Sequence, residues 1–431
     1  MYRKFAETLR EWQKNDIQKP LMVIAARQTG KTWIIKKFCQ ETYKDYVYIN
    51  LEEQDDMRSV FDGNLDPDTV IHGIEQILGR KIDTEVPIFL DEIQTCERAI
   101  TSLKYFCEDP RDFRIICAGS LLGVKIRRFQ SSFPAGKVQI EYMYPMDFEE
   151  FLIACGEDIL KDGIRDAYRK KKALPEGVHK KALALYHDYL FTGGMPESIL
   201  DYLNKNRDVA QLDRSILKNL ELAYLADMTK YVTSPQESVK ISETYQSIPR
   251  QLARENPKFM YKEVRKGGNK RDFSGPLDWL EASGMIYKVN KVEAPESPLK
   301  GYKDETGFKV YLSDVGILVS LGGIRYRDLL AGTDNKYKGG VIENYVYQQM
   351  IINHSGLYYF KPSEAMEIDM LFDDDKEIIP VEIKAGRHRR STSLKNYRDQ
   401  YKPSYAIRLS EMNFGFVNGL YSVPLYAAFC I

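Results

Sequence analysis

This sequence lacks the marks of a disulfide-stapled, zinc-binding or membrane-spanning protein, and it has no excess charge of either sign. Its six cysteines, Cys39, Cys96, Cys107, Cys117, Cys155 and Cys430, are scattered, with no CxxC pair and no cluster among the five histidines to accompany them. That argues against a disulfide framework or a zinc site and for a reducing, intracellular compartment. No stretch approaches the roughly 18 apolar residues of a membrane span. The opening MYRKFAETLREWQKND has no apolar core of the signal-peptide kind. The expectation is a cytoplasmic protein without a membrane partner. The 62 basic and 62 acidic residues cancel to a formal net charge of zero. Global charge therefore gives no case for nucleic acid, and any such partner must be argued from local patches.

What is present is an ordinary globular composition, 43% hydrophobic and 29% charged, over 431 residues. At about 100–200 residues per domain this length accommodates two to four domains. The apolar run Leu21–Ile24 reads as a buried parallel strand. It leads into Ala25-Ala26-Arg27-Gln28-Thr29-Gly30-Lys31-Thr32 and then the helically spaced WIIKKFCQETY. Strand, loop and helix in that order are the context a phosphate-binding P-loop requires. Loop N–H groups and the helix start cradle phosphate oxygens. Gly30 lets the backbone approach, Lys31 is the cation for the β- and γ-phosphates, and Thr32 offers a hydroxyl to Mg²⁺. Gln28, Thr29 and Trp33 complete the expected nucleotide-binding stretch. The pattern GxxxxGK(S/T) is departed from once, with Ala25 at the first glycine.

A second apolar strand, Pro87–Leu90, ends in Asp91-Glu92. A carboxylate there can hold Mg²⁺ through water, which is the role expected of Asp91, and Glu92 can polarise the attacking water as general base. A third, Arg114–Ala118, ends in Gly119-Ser120. Ser120 is either a sensor between Asp91-Glu92 and the γ-phosphate or a cap for the next helix. Strands at 21–24, 46–50, 87–90 and 114–118, separated by helical stretches, read as a doubly wound parallel sheet with its ligand at the strands' C-terminal ends.

With these residues in place, ARQTGKT, FLDEIQ, ICAGSLLGV and FPAGKVQIEYMYPMDFEEFL resemble a bacterial and archaeal family of AAA+ superfamily ATPases with a C-terminal domain of unknown function. The resemblance continues through YLFTGGMPESIL, DMTKYV, FKVYLSDVGIL, GGVIENYVYQQM, EIDMLF and IIPVEIKAG, essentially the whole chain. It implies an AAA+ core over 1–150 and a helical lid over 151–230, with ATP and Mg²⁺ as ligands. It also implies an adenine-side role for Pro196 in Gly194-Met195-Pro196, a stretch that a loop between two helices would explain equally. Lys137 stands where many relatives have Arg. A lysine lacks the planar fork of an arginine finger, and Arg127 and Arg128 are the alternatives for that role or are solvated helix residues. Ring-like homo-oligomers, common among AAA+ proteins, stay open on this reading.

Residues 231–300 read as a winged helix-turn-helix: a helix over Val239–Glu255, a short element over Met260–Lys266, a third over Phe273–Ser283, then the strand MIYKVNKV with FKVYLSD as its return. Lys258, Lys262, Arg265, Lys266, Lys270 and Arg271 bunch before the third helix. They would neutralise phosphates of duplex DNA, or form a solvated face of a packing module. Over 301–431 the expectation is a restriction-endonuclease-like α/β domain. Glu343 lies on an amphipathic helix, Asp369 at a strand start, and Glu382 and Lys384 on one face of the strand IIPVEIKA. Two or three such carboxylates can hold a second Mg²⁺, and Lys384 would stabilise charge on phosphate. The basic run Lys384–Arg398 would track a backbone. The fold class is thus α/β: a P-loop sheet with a helical lid, followed by winged-helix and nuclease-like domains. The function expected is Mg²⁺-dependent ATP hydrolysis coupled to DNA, with nuclease activity open. The rival is a nucleotide-dependent signalling or assembly switch whose C-terminal domains bind protein, and a slow, nearly inactive nucleotide binder is a third reading.

Overall fold

A computed structural model of the chain describes all residues except 16–18, 129–132, 231, 233, 255–256, 331–335, 364, 375 and 387–391, and leaves out the side chains of 127, 128, 230 and 336. The chain divides into two compact units, Met1–Tyr144 with Ala282–Met285, and Pro145–Glu281 with Ile286–Ile431.

The first unit is built on β1 (Leu21–Ala25), β2 (Val47–Asn50), β3 (Ile88–Asp91), β4 (Ile115–Gly119) and β5 (Gln139–Met143). The order is β2-β3-β4-β1-β5, every pair parallel. Helices α1 (Phe5–Lys14), α2 (Lys31–Thr42), α3 (Asp55–Ser59), α4 (Pro67–Leu78), α5 (Glu97–Glu108) and α6 (Leu122–Arg128) belong to the same unit. The central strands are apolar throughout because both faces are covered. Met22, Ile24, Ile49, Ile88, Leu90, Ile115 and Cys117 pack with residues of α4 and α5. The alternate residues Leu21, Val23, Phe89, Ile116 and Ala118 pack with α1 and α2. This period of two puts one core on each side of the sheet. Local signals fix the connections: Asp66 caps α4 by accepting from the Thr69 N–H, Pro67 opens it, and Gly79 ends it in the left-handed conformation. The parallel sheet expected from the sequence is present, with β5 as a fifth strand at its edge.

The second unit carries helices α7 (Phe148–Ala154), α8 (Asp158–Lys170), α9 (Glu176–Thr192), α10 (Pro196–Asn204), α11 (Ser215–Lys230), α12 (Pro235–Leu252), α13 (Lys270–Ala282), α14 (Val315–Leu321), α15 (Tyr326–Leu330), α16 (Lys336–Met350) and α17 (Thr392–Tyr401). Its strands are β6 (Ile286–Val292), β7 (Lys303–Leu312), β8 (Tyr358–Ser363), β9 (Met366–Asp373), β10 (Ile378–Ile383), β11 (Ala406–Ser410), β12 (Gly415–Val417) and β13 (Leu420–Pro424). They form one mixed sheet in the order β12-β13-β11-β10-β9-β8-β6-β7. The β6–β7 hairpin, where a wing was expected, therefore continues the C-terminal sheet through parallel β6–β8 pairing. The helix expected over Val239–Glu255 is α12, and Glu255 lies outside the described residues. Among the described residues no helix is long and apolar enough to cross a membrane.

One buried core joins segments far apart in this unit. The rings of Phe148, Tyr186, Tyr189, Tyr345 and Phe429 meet there, with Tyr186 and Tyr345 centroids 4.9 Å apart. Asp314 is its polar hub. The carboxylate accepts from the N–H of Gly194 (2.6 Å), the N–H of Ile317 (3.0 Å) and the Gln348 amide (3.3 Å). Gln348 also donates to the Tyr189 hydroxyl at 3.0 Å. Replacing Asp314 by Ala strands these donors in the interior, where an unmet buried donor costs about 1–3 kcal/mol. Chemical denaturation of Asp314→Ala should show at least about 2 kcal/mol lost from this unit. An unchanged midpoint would mean that the hub does not hold these segments together.

Candidate functional site

The P-loop lies between β1 and α2, and its backbone takes the shape the sequence implied. Gln28 (φ 61°) and Gly30 (φ 88°) both have positive φ, a turn that brings successive N–H groups to one side. Ala25 is the last residue of β1, paired with Met143. Extended backbone accepts a Cβ, so the missing first glycine costs no backbone conformation there. Two further contacts brace the loop. The Thr29 hydroxyl donates to the carbonyl of Ala26 at 2.9 Å. Arg3, buried beside α1, donates to the carbonyl of Thr29 and, at 2.6 Å, to that of Tyr144.

Lys31 opens α2 and is only 7% exposed. Its ammonium lies 3.1 Å from Glu92 Oε1. Thr32 donates its hydroxyl to Asp91 Oδ2 at 2.7 Å, and the Tyr48 hydroxyl reaches the same oxygen at 3.3 Å. The other oxygen of Glu92 accepts from Gln94 Nε2 at 2.5 Å and from Ser120 Oγ at 3.2 Å. Lys31, Thr32, Asp91, Glu92 and Ser120 are thus brought together at the C-terminal ends of β1, β3 and β4. Glu92 itself has φ 49°, a conformation rare for a non-glycine residue and concentrated at functional sites.

The electrostatics divide the two acids. Burial works to raise the Glu92 carboxyl, but the Lys31 charge and the hydrogen bonds from Gln94, Lys31 and Ser120 outweigh it and hold the pKa below the ordinary glutamate value. Glu92 is therefore ionised at neutral pH. Asp91 is shifted upward, first by burial, with the Thr32 hydroxyl and the Lys31 charge opposing. A divalent cation beside Asp91 would reverse that shift. A carboxylate joined to a threonine hydroxyl at the mouth of the loop is a donor set that fits Mg²⁺.

Sequence reasoning missed Arg3, Tyr48 and Gln94. Gln94 carried no sequence signal for this role: a Cβ at Gly119 would lie 2.0 Å from Gln94 Oε1, so the glycine makes room for the amide between Glu92 and the end of β4, a relation only the fold creates. Trp33 is 46% exposed, with the Lys37 ammonium 5.1 Å from its ring centroid. Pro196 opens α10 in the second unit. Lys137 pairs with Glu108 at 2.9 Å on the surface. Arg127 and Arg128 lie in α6, their side chains outside the described residues.

The residues of the second constellation lie in the second unit, on α16, β9 and β10 and just after β10. Asp369 accepts from the backbone N–H of Ile383 at 2.7 Å, and Lys384 pairs with Glu382 at 2.9 Å. A residue the sequence gave no reason to choose lies among these acids. Lys309 on β7, 1% exposed, reaches Glu343 at 3.3 Å and Glu367 at 3.2 Å, and Tyr311 donates to Glu343 at 3.0 Å. Burial alone would lower the Lys309 pKa, but the charge of Glu343 and its neighbours holds it well above the ordinary lysine value. Burial, and then the charge of Glu343, raise the pKa of Asp369. Among the described residues no three His, Cys, Asp or Glu side chains are grouped so as to hold a metal ion. Of the basic run Lys384–Arg398, residues 387–391 lie outside the description.

A parallel sheet with this loop and acid pair defines a P-loop nucleotide-binding domain. Residues 18–152 match the family model described as an AAA domain. Residues 183–328 and 338–428 match two models described as domains of unknown function, DUF8612 and DUF4143. No curated protein matches the chain. Among solved structures, it is similar to the Aeropyrum pernix ORC2 protein in its ADPNP–ADP complexes, at 12% identity over 77% of this chain and 95% of that one, TM-score 0.36. It is similar to the Aeropyrum pernix ORC1 protein in complex with DNA, at 15% identity over 76% and 93%, TM-score 0.27. A third is AMPPCP-bound DnaA from Aquifex aeolicus, at 12% identity over 65% and 89%, TM-score 0.29.

The Arg3 contacts yield a testable consequence. Arg3→Lys keeps the charge but loses the fork that spans two carbonyls. Hydrogen bonds to charged groups contribute about 1.5–3 kcal/mol each, so ATP affinity should fall about tenfold or more. Titration with a fluorescent ATP analogue would read it, and unchanged affinity would show that the P-loop holds its shape without Arg3.

Proposed function

We propose that this protein is a Mg²⁺-dependent ATPase whose hydrolysis at the P-loop is coupled to DNA engaged by its C-terminal half. The observation that carries the ATPase reading is the pairing of Lys31 with Glu92 and of Thr32 with Asp91 where the P-loop meets the end of β3. Gly30 and the loop N–H groups around Gln28 and Thr29 bind the phosphates of ATP. Lys31 leaves Glu92 for the β- and γ-phosphate oxygens, exchanging one anion for another. Thr32 and Asp91 would hold Mg²⁺, which supplies neutralisation of phosphate charge when bound. Glu92, released from the ammonium and still held by Gln94 and Ser120, accepts a proton from the attacking water. Ser120, bonded to that base and placed at the end of β4, is positioned to register whether the γ-phosphate is present. A homo-oligomer that completes the site from a neighbour is compatible with this reading.

The coupling to duplex DNA rests on the basic bunch between Lys258 and Arg271. A second reading, a switch whose C-terminal domains bind protein, is favoured by one observation: Arg265 in that bunch is already paired with Glu243 at 2.8 Å.

Steady-state ATP hydrolysis with and without duplex DNA tests both. Lys31→Ala should abolish turnover. Glu92→Gln should retain ATP binding while lowering kcat by about 10²–10⁴, the contribution of a positioned general base. Turnover untouched by Lys31→Ala would remove the site assignment. A wild-type rate that duplex DNA raises supports the coupling, and a rate indifferent to DNA at low salt moves the reading to the protein-partner switch.

A further inference from the structure

Four acids of the second unit, Glu343, Glu367, Asp369 and Glu382, lie among three lysines, Lys309, Lys361 and Lys384, of which Lys309 is the most deeply buried. Glu367 and Asp369 are two apart on β9, so their side chains leave the same face. The β9–β10 register runs through Met370 and Val381, and its next step sets Asp369 opposite Glu382. Glu343 comes from α16. Lys309 Nζ lies within 3.3 Å of both Glu343 and Glu367. Glu382 is 1% exposed, and its Oε2 has no hydrogen-bond partner among the described residues. The other oxygen of Glu382 pairs with Lys384 at 2.9 Å and the second oxygen of Glu367 with Lys361 at 3.1 Å, which leaves the buried Glu382 Oε2 as a position still unanswered.

We infer that the ammonium of Lys309 is the resident cation of this carboxylate site, and that a divalent cation binds there only when the ammonium is removed. The inference is independent of the ATPase reading, because none of its residues belongs to the P-loop unit. It has a chemical consequence. An ammonium balances carboxylate charge but does not convert water into hydroxide, as a bound divalent cation does. With Lys309 in place the site holds the sheet and α16 together and does not cut a phosphodiester.

The test is Mn²⁺ binding to full-length protein without nucleotide, followed by electron paramagnetic resonance. Lys309→Ala should gain one Mn²⁺ per chain relative to the wild type. The double variant Lys309→Ala with Glu343→Gln should lose it, and Lys309→Arg, which keeps a cation, should not gain it. Wild-type protein that holds Mn²⁺ sensitive to Glu343→Gln overturns the inference, as does Lys309→Ala that takes up none. Removing the ammonium leaves several acids buried together, so Lys309→Ala is also refolded in Mn²⁺ and in NaCl of equal ionic strength. If the variant is insoluble without metal, recovery in Mn²⁺ alone supports the proposal, and failure to recover in either rejects it.

Discussion

Lys31 and Lys309 each carry an ammonium into the interior of their unit, and the rest of each centre is arranged to answer it. An unpaired charge is not tolerated in a low-dielectric interior, so carboxylates must follow the lysines inward. The two solutions differ in what can replace the partner. Among the described residues Lys31 has one carboxylate at bonding distance, Glu92, and it stands at the opening of α2, after the positive-φ turn of Gln28 and Gly30. A phosphate there offers the ammonium a second anion of equal strength. Lys309 has two carboxylates within reach and sits in mid-strand on β7, wholly enclosed. The first arrangement can exchange its ion pair, and the second fixes one.

That contrast bears on how the P-loop unit would work as a switch. Glu92 spreads its carboxylate over Lys31 on one oxygen and over Gln94 and Ser120 on the other. Losing the ammonium leaves the second oxygen bonded, so the Glu92 carboxylate keeps its orientation. The positive φ of Glu92 has a place in the same account. The left-handed turn directly after Asp91 lets two consecutive side chains serve one cradle, whereas regular strand alternation would send them to opposite faces.

The strands that build the first site were legible to within about one residue, as far as strand ends can be assigned at all. Runs such as LMVI and IFL are apolar at every position because both sheet faces are covered. The strand β5 was not assigned, because only β1 pairs with it. Its residues alternate between half-buried and exposed, with Glu141 among them, so the continuous apolar signal is missing. The P-loop, the acid pair and Ser120 could be placed because their chemistry is local to strand ends. Lys309 could not be. In FKVYL it reads as the solvent-facing lysine of a hairpin, and what buries it is α16 and β9, which arrive later in the chain. The hairpin was expected as a wing for a related reason: its pairing with β8 involves only two residues of β6, Lys291 and Val292, and leaves no pattern in the hairpin itself.

Charge is also answered locally on the surface of the second unit. Around the basic bunch of the second unit, Glu243 meets Arg265, Asp272 meets Lys240 and Glu263 meets Arg254. Binding to a phosphate backbone draws its strength from releasing counterions condensed on the nucleic acid, one for each phosphate neutralised. A lysine or arginine already paired with a carboxylate must give up that pair to contribute, so part of the gain is cancelled within the protein. The salt dependence of any DNA affinity therefore measures how many of these pairs open, and the formal count of basic residues in the bunch is only its upper limit. Surface pairs of this kind are individually weak, which makes them exchangeable in the manner of Lys31 and unlike the enclosed pair at Lys309.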